Sequence, residues 1–514
     1  PKKKGSYYLV NSRSDRFDGN LTLAYNKTID KHMLNVGVGS NIMQSETEGE
    51  SFTGVGFINP DMIFIGAANA FQENTSPQGT YDKSRLVGFF TNVNYGYGNR
   101  YFLDFSFRSD GSSKFGRNSR FAPFWSLGVA WNVHNESFWH AHEKNALKLR
   151  ASVGSTGTTN FSSTQALTTY LYDFSREYNG NFGVSLAGYG NSSLKWQTTL
   201  SYNVGVDFTF LHGLVVFNGD FYIKNTRSLL LPVTVAPSTG FIDYVENIGK
   251  LRNTGVEARL RFNLIQDAVK DLRWNVTLSA FHNRSKITQL SNQLETINQY
   301  ANDDRANQGT VVYRQFEAGR SQTALMVVRS GGIDPATGNE IYIKRNGEMT
   351  FEYNHNDKIE CGDMKPKIEG NVNTNLNWKG FNLYMLFKYQ YGGKIYNATL
   401  ASKVEGVNPL KNADKRVLYD RWKEPGDHAK FRRIDDTSAP YQTTRLVFDN
   451  NLLALQSVSL SYELPRKISQ KMYMERVKLL LSSTDLFRLS SVKQERGTSY
   501  PFARTFSIGL NVTF

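Results

Sequence analysis

Tyr101-Phe102-Leu103-Asp104-Phe105-Ser106-Phe107-Arg108 and Trp125-Ser126-Leu127-Gly128-Val129-Ala130-Trp131-Asn132-Val133 decide how this chain is read. In the first run Tyr101, Leu103, Phe105 and Phe107 alternate with Asp104, Ser106 and Arg108. In the second, Trp125, Leu127, Val129, Trp131 and Val133 are separated by small or polar residues. A period of two is a strand with one apolar and one polar face. The run before them repeats the pattern with Val87, Phe89, Val93 and Tyr95, and only Tyr97-Gly98-Asn99-Arg100 intervenes. On the far side lies a longer polar connection, 109–123. Short turn on one side and long loop on the other is the pattern to follow outward.

Composition narrows the options. The 514 residues hold 39% hydrophobic residues, with 27 Tyr and 34 Phe. No apolar run approaches the roughly 20 residues of a membrane helix. The chain is therefore either soluble or a transmembrane β-barrel, whose half-polar strands escape hydropathy windows. Aromatics in such numbers suit interface girdles, with Tyr95, Tyr97 and Tyr101 in one and Trp131, Phe138 and Trp139 continuing it. One cysteine, Cys361, rules out an intrachain disulfide and a thiolate cluster. Lys and Arg number 60 against 46 Asp and Glu, a formal charge of +14. They are scattered, apart from Lys2-Lys3-Lys4, which favours solvated loops and lumen over nucleic acid, anionic lipid headgroups or an anionic substrate as the reason for the excess. The chain opens without an apolar leader or an initiating Met, so its start reads as a processed or partial end.

The alternation recurs along the chain: 21–25 and 32–40, 147–154, 203–210 and 215–224, 256–263 and 274–280, 371–378 and 381–389, 452–462 and 477–483, and last 506–514. That makes about 15 strands, most near the 9–11 or so residues of a tilted membrane strand. Between them the expected long loops are about 41–85, 109–123, 155–197, 226–253, 284–369, 390–450 and 484–503, alternating with short turns. The stretch 284–369 is expected to hold hairpins of its own, for example around 340–344. The fold class read from this is all-β, a transmembrane antiparallel β-barrel running through 1–514 as one unit. With the last strand ending in the periplasm, an odd count implies a further strand at the front, unless Tyr7–Val10 supplies it.

The run from Arg100 to Arg108, continuing Ser109-Asp110-Gly111-Ser112-Ser113-Lys114-Phe115-Gly116, then Arg120-Phe121-Ala122-Pro123-Phe124 into Trp125, closely resembles the SusC/RagA-like TonB-linked (TonB-dependent) outer membrane transporters of Bacteroidetes. Segments 147–157 (LKLRASVGSTG), 194–208, 224–231 (KNTRSLLL), 238–241 (STGF), 253–257 (NTGVE), 362–378, 392–396 (GGKIY) and 500–514 match the same family. Ser483-Thr484-Asp485-Leu486-Phe487 is less typical, since the family usually carries Asn-Leu-Phe there. The resemblance implies a barrel of about 22 strands, plugged by an N-terminal domain, in the bacterial outer membrane. It implies import of oligosaccharides or peptides beneath a SusD-like surface lipoprotein, with TonB–ExbB–ExbD acting through the plug region, and dimers of transporter–lid pairs. Plug and TonB box are not in this sequence, which reads as the C-terminal barrel portion. The closing alternation Phe506, Ile508, Leu510, Val512 and Phe514 resembles the signal read by barrel-assembly machinery.

Catalysis finds no support. His140-Ala141-His142-Glu143 lacks a recognised metal-ligand spacing, Asp110-Gly111-Ser112-Ser113 lacks the spaced carboxylates of a calcium loop, and Gly154-Ser155-Thr156-Gly157 lacks the Lys of a phosphate loop. No cofactor is expected. The polar strand faces carry the function instead. Asp104, Arg108, Asp207, Asp220, Lys224, Glu257, Arg259 and Arg261 are expected to face the lumen, since a Lys or Arg facing mid-bilayer costs about 2–4 kcal/mol. Tyr170, Tyr172, Tyr178, Tyr189, Tyr300 and Trp422 in the loops are candidates for ligand or lid contacts, or for packing loop on loop. Two roles follow: a transporter barrel, or a scaffold that organises surface lipoproteins or other outer membrane complexes. On either, the lipid bilayer is the chain's solvent. The purified protein is expected to be detergent-dependent and β-rich by circular dichroism; a water-soluble monomer would refute the barrel.

Overall fold

The structure, a computed structural model, describes residues 5–514 except 58, 60, 62–63, 73–76, 141–142, 159–164, 235–242, 248, 291–297, 299–314, 409, 411, 437 and 493–503. The first hairpin is its longest. β1 (Ser6–Ile29) pairs with β2 (His32–Val55) over every residue, from Ser6↔Val55 to Ile29↔His32. Tyr7–Val10 is thus the start of β1 and not a separate strand. β3 (Ala70–Phe71) adds a short pairing to the end of β2. β4 (Gln78–Tyr97), β5 (Tyr101–Ser112), β6 (Phe121–Asn132) and β7 (Ala146–Thr158) follow. β8 (Thr169–Tyr178) and β9 (Asn181–Gly188) make a hairpin apart from them. Next come β10 (Gln197–Phe210) and β11 (Val215–Arg227), then the small hairpin β12 (Leu230–Thr234) and β13 (Asp243–Asn247).

β14 (Lys250–Asp267) and β15 (Leu272–Gln289) form the next long pair. β16 (Ala324–Ile333), β17 (Glu340–Ile343), β18 (Met349–Thr350) and β19 (Lys358–Asp363) build a four-stranded sheet of their own. β20 (Ile368–Trp378) and β21 (Phe381–Tyr391) are joined by Lys379-Gly380. Both turn residues have positive φ, 44° and 85°, as a two-residue hairpin turn of this hand demands. β22 (Lys394–Tyr396) pairs with β23 (Val447–Asp449). β24 (Leu452–Glu463), β25 (Arg476–Ser490) and β26 (Thr505–Thr513) close the series.

The main sheet runs in the order β1-β2-β4-β5-β6-β7-β10-β11-β14-β15-β20-β21-β24-β25-β26, with β3 beside β2. Each long strand pairs with the next in the chain, insertions set aside, which is an up-and-down meander. On β5, β6, β10 and β26 the apolar parity is exposed: Leu103 is 40% exposed, Val129 49%, Val204 60% and Ile508 80%. A water-soluble sheet buries that parity; a membrane strand turns it to lipid.

Several expected loops prove to be strand. Residues 41–55 and 78–85 belong to β2 and β4, 109–112 and 121–123 to β5 and β6, and 155–158 to β7. Likewise 226–227 and 250–253 lie in β11 and β14, 284–289 in β15, 368–369 in β20, 390–391 in β21 and 484–490 in β25. The cause is visible at β2 and β4. Lys83 Nζ meets Glu46 Oε2 at 2.7 Å, Tyr81 donates to Glu46 Oε1 at 2.6 Å, and Arg85 Nε donates to Gln44 at 3.0 Å. Here both faces are polar, so the ladder continues on cross-strand pairs while the apolar alternation stops. The remaining loops are structured too: β8–β9, β12–β13 and β16–β19 sit inside stretches expected as connections, with β17 at the predicted hairpin.

The less typical segment at 483–487 marks a bulge. The β24–β25 register shifts between Leu455 and Ser457, and Asp485 takes a φ of 52°. That left-handed position suits a short Asp or Asn side chain.

The chain divides into two compact units: Pro1–Val129, Val153–Leu200 and Thr226–Ile248 in one, Ala130–Ser152, Ser201–Asn225 and Gly249–Phe514 in the other. In the first, Phe115, Phe124, Ala166, Leu194 and Trp196 form a buried cluster. The Trp196 ring stacks on Phe115 at 4.5 Å and meets Phe124 edge-on at 5.2 Å, and its Nε1 donates to the Arg120 carbonyl at 3.0 Å. In the second, Ala324-Leu325-Met326-Val327-Val328 of β16 is buried on both faces, and Leu325 and Val327 pack on Tyr396, Ala401 and Leu446. Gly370 of β20 lies under Tyr389, whose hydroxyl donates to the Ser279 carbonyl at 2.9 Å; a Cβ at Gly370 would stand 1.9 Å from that oxygen. Gly370→Val is expected to cost about 1–3 kcal/mol by overpacking. The readout is a lower temperature for conversion of the folded to the unfolded band in semi-native electrophoresis.

Candidate functional site

The polar parities of the long strands gather the expected wall residues unevenly. On β7, Arg150 holds two of them. It donates to Asp207 of β10 at 2.8 and 3.1 Å and to Asp220 of β11 at 3.1 Å through both terminal nitrogens. Asn218 adds a bond to Asp207 at 2.8 Å. Gly205 lies beneath: a Cβ there would fall 2.6 Å from Asp220 and 2.7 Å from the Arg150 guanidinium. The absence of a side chain at 205 is what lets the fork close on both carboxylates. Arg150 escaped the list of expected site residues, although it alternates with Leu149 on the same terms as the others.

The remaining wall residues are more local. Arg108 bonds Asp110 on its own strand and stands 5.9 Å from the centre of the Phe90 ring. Asp104 accepts from Asn94 at 2.7 Å. Lys224 lies over the Tyr222 ring at 4.6 Å. Glu257, Arg259 and Arg261 project from β14 as exposed side chains opposite in parity to Val256, Ala258, Leu260 and Phe262. On β20 the polar parity is asparagine, and Asn382 of β21 donates to Asn375 at 2.9 Å and to Asn377 at 2.5 Å.

Of the loop aromatics, Tyr170 and Tyr189 are exposed. Tyr172 and Tyr178 lie on β8 with side chains outside the described residues, as is the whole of Tyr300. Trp422 is committed to packing loop on loop. Its Nε1 donates to the Pro335 carbonyl at 2.9 Å, and Gly338 sits so close that a Cβ would come 2.5 Å from the ring. His140 bonds the Phe138 carbonyl at 2.7 Å, His142 is outside the described residues, and no metal-binding group of three ligands occurs among the described ones. Cys361 bonds the Leu325 carbonyl, and burial pushes its thiol up to about 11, which keeps it protonated and inert at neutral pH.

A buried charge network in the insertions was not foreseen. Glu405 ends a π-helical turn (Leu400–Glu405), and its side chain is fully buried. It accepts from Arg432 Nε at 2.9 Å and from Arg445 at 2.8 and 3.1 Å. Arg445 reaches on to Glu340 at 3.0 and 3.2 Å, and Thr443 caps the same carboxylate at 2.7 Å. Arg421 spends its guanidinium on the carbonyls of Val404, Glu405 and Arg432. Burial lowers Arg421. Burial works the same way on Arg445, but Glu340 and Glu405 outweigh it and hold the group raised. Removing one partner from such a network typically costs 3–5 kcal/mol. The signal that could have found it is faint: three separate arginines and two glutamates, 105 residues apart at most, inside stretches read as loop. Beside the network Leu400, Tyr419, Phe431, Leu446 and Phe448 line a cavity of about 540 Å³.

The model of the TonB dependent receptor-like, β-barrel family matches residues 3–332. Among curated proteins, the chain is similar to TonB-dependent receptor P3 of Formosa agariphila, 26% identical over 96% of this chain and 52% of that protein. It is also similar to the TonB-dependent receptor SusC of Bacteroides thetaiotaomicron, 27% identical over 62% of this chain and 32% of SusC. The chain spans about half the length of the first of these relatives. Among solved structures, that of the RagAB peptide transporter superposes with a TM-score of 0.86 at 22% identity, over 99% of this chain and 56% of that one. The likeness is one of fold.

Lys358 gives the insertions a pH signature. Burial alone lowers its ammonium from 10.5 to about 8. Between those values the unfolded segment binds a proton that the folded one does not, so stability rises with pH from about 8 to 10.5 and is flat below. Lys358→Met should be more stable than the parent protein at pH 7, and the difference in thermal midpoint should shrink as pH is raised to 10. A difference independent of pH would exclude this origin.

Proposed function

Because the chain belongs to the TonB dependent receptor-like, β-barrel family, we propose that it forms the barrel wall of an active importer of oligosaccharides or peptides. Its place is the bacterial outer membrane. In this reading Asp104, Arg108, Asp207, Asp220, Lys224, Glu257, Arg259 and Arg261 face the lumen, as do Arg150 and the asparagines of β20 and β21. A SusD-like lipoprotein closes the outer mouth, and TonB–ExbB–ExbD supplies energy through a plug region.

The observation that carries the reading is the split between strand faces. On β5, β6, β10 and β26 the apolar parity is exposed, whereas the polar parity of β7, β10, β11 and β20 holds ion pairs and amides that bond one another, and that of β14 presents Glu257, Arg259 and Arg261 as exposed side chains. A wall of compensated charges and amides is hydrated without presenting one dominant sign. It suits a polar polymer that must slide past. RagAB, the close structural likeness, is described as a peptide transporter, which supports the peptide class; the charge of +14 leans the same way.

The buried Glu405–Arg445–Glu340 network favours a second reading, a scaffold for surface lipoproteins, because it stiffens the insertions into a platform. One experiment separates the two. Deletion of the gene should abolish growth on one polysaccharide or peptide source while leaving growth on simple sugars and amino acids intact. Normal growth on every such source, with surface complexes lost, would replace the importer with the scaffold.

A further inference from the structure

Beyond the apolar belt of β14 and β15, the same strand parity turns cationic. On β15 the belt is Trp274, Val276, Leu278 and Ala280, and the parity continues through His282, Arg284 and Lys286. On β14 it is Phe262, Leu260, Ala258 and Val256, followed by Thr254 and Arg252. The register is unbroken from Leu251↔Ile287 to Asn263↔Asn275, so no bulge turns these side chains to the other face. Lys286 stands directly opposite Arg252, and like charges in that position destabilise a sheet. Arg252 Nε donates to the neutral Asn225 at 2.8 Å, and among the described residues no carboxylate pairs with it. The strands accept this repulsion where an anion can relieve it.

Arg284 and Lys286 line a cavity of about 440 Å³ together with Lys365 and Lys367 from the segment before β20. Two carboxylates line the same cavity. Glu360 pairs with Arg320 at 3.3 Å, and Asp363 accepts from Thr323 at 2.6 Å and from the Lys365 backbone N–H at 2.9 Å. His282 Nδ1 is 2.6 Å from the Lys367 carbonyl, which pins that segment to the strand. Among the described residues no carboxylate pairs with Arg284, Lys286, Lys365 or Lys367. Among the described residues these four unpaired cations face one unpaired carboxylate, Asp363, so the cavity keeps a net positive charge.

We propose that this cavity binds the phosphorylated headgroup of a glycolipid in the outer leaflet. Parity decides against a solute in the lumen, because Arg284 and Lys286 share the face of the lipid-directed belt. Depth agrees. At about 3.3 Å per residue and a tilt near 45°, Arg284 and Lys286 stand roughly 9 and 14 Å above Ala280 along the membrane normal, at and just beyond the headgroup layer. Lysine ammonium groups are point donors suited to phosphate oxygens, and Arg284 adds a planar fork. The inference rests on the outer membrane location and is independent of what the barrel transports.

The test uses the full chain in detergent, titrated with bisphosphorylated lipid A, with its dephosphorylated counterpart and with inorganic phosphate, bound ligand being counted by native mass spectrometry. The phosphorylated lipid should bind at least about tenfold more tightly than the dephosphorylated one, and Arg284→Gln with Lys286→Gln should remove that difference. Lys365→Gln with Lys367→Gln, outside the β14–β15 ladder, should weaken the same lipid and keeps the test decisive if the strand variant misfolds. Equal binding of the two lipids, or unchanged binding in the folded variants, overturns the proposal. Inorganic phosphate bound as tightly as the lipid would make this a free-anion site and overturn it as well.

Discussion

A peptide group in the bilayer core has no water to bond, so each strand must satisfy the N–H and C=O groups of its neighbours. The main sheet obeys this strand by strand, each long strand paired to the next in the chain. The most extended case is β1 with β2, whose 24-residue strands pair without a register shift. Once the ladder is satisfied in this way, side-chain parity has only two environments to choose from. Lipid takes Val129, Val204 and Ile508; the other parity takes arginine, aspartate and asparagine. Breaks in the ladder then stand out, as at Asp485, where a bulge in β25 is absorbed by a residue that tolerates positive φ.

The insertions obey a different constraint. They stand where water is available, yet they are packed as a soluble domain is. β16 is apolar on both faces, and Glu405, Arg445 and Glu340 are withdrawn from solvent with every carboxylate oxygen engaged. A buried ion network is a weak source of net stability but a strong penalty on any rearrangement that separates its members. The consequence is a set of insertions that hold their shape.

The membrane strands were legible because lipid imposes a period of two that nothing else in the chain imitates. Tyr101–Arg108 and Trp125–Val133 announce their faces without help from a structure. The same logic explains the misreadings. Residues 41–55 and 484–490 lack the apolar alternation because above the belt both faces meet water or protein, while hydrogen bonding continues. Arg150 carries no local signal for another reason: its partners, Asp207 and Asp220, are 57 and 70 residues away.

By itself, then, the sequence determined the fold class, the alternation of turns and long connections, the membrane setting and the family. All of these are written in local periodicity and in short motifs such as Asp110–Gly116. Only the tertiary structure decided which charges neutralise one another, where the strands stop and how the insertions are packed. Those outcomes depend on register between strands distant in sequence. Register is a cooperative property of the whole ladder, set by the sum of many cross-strand pairs and by no single stretch.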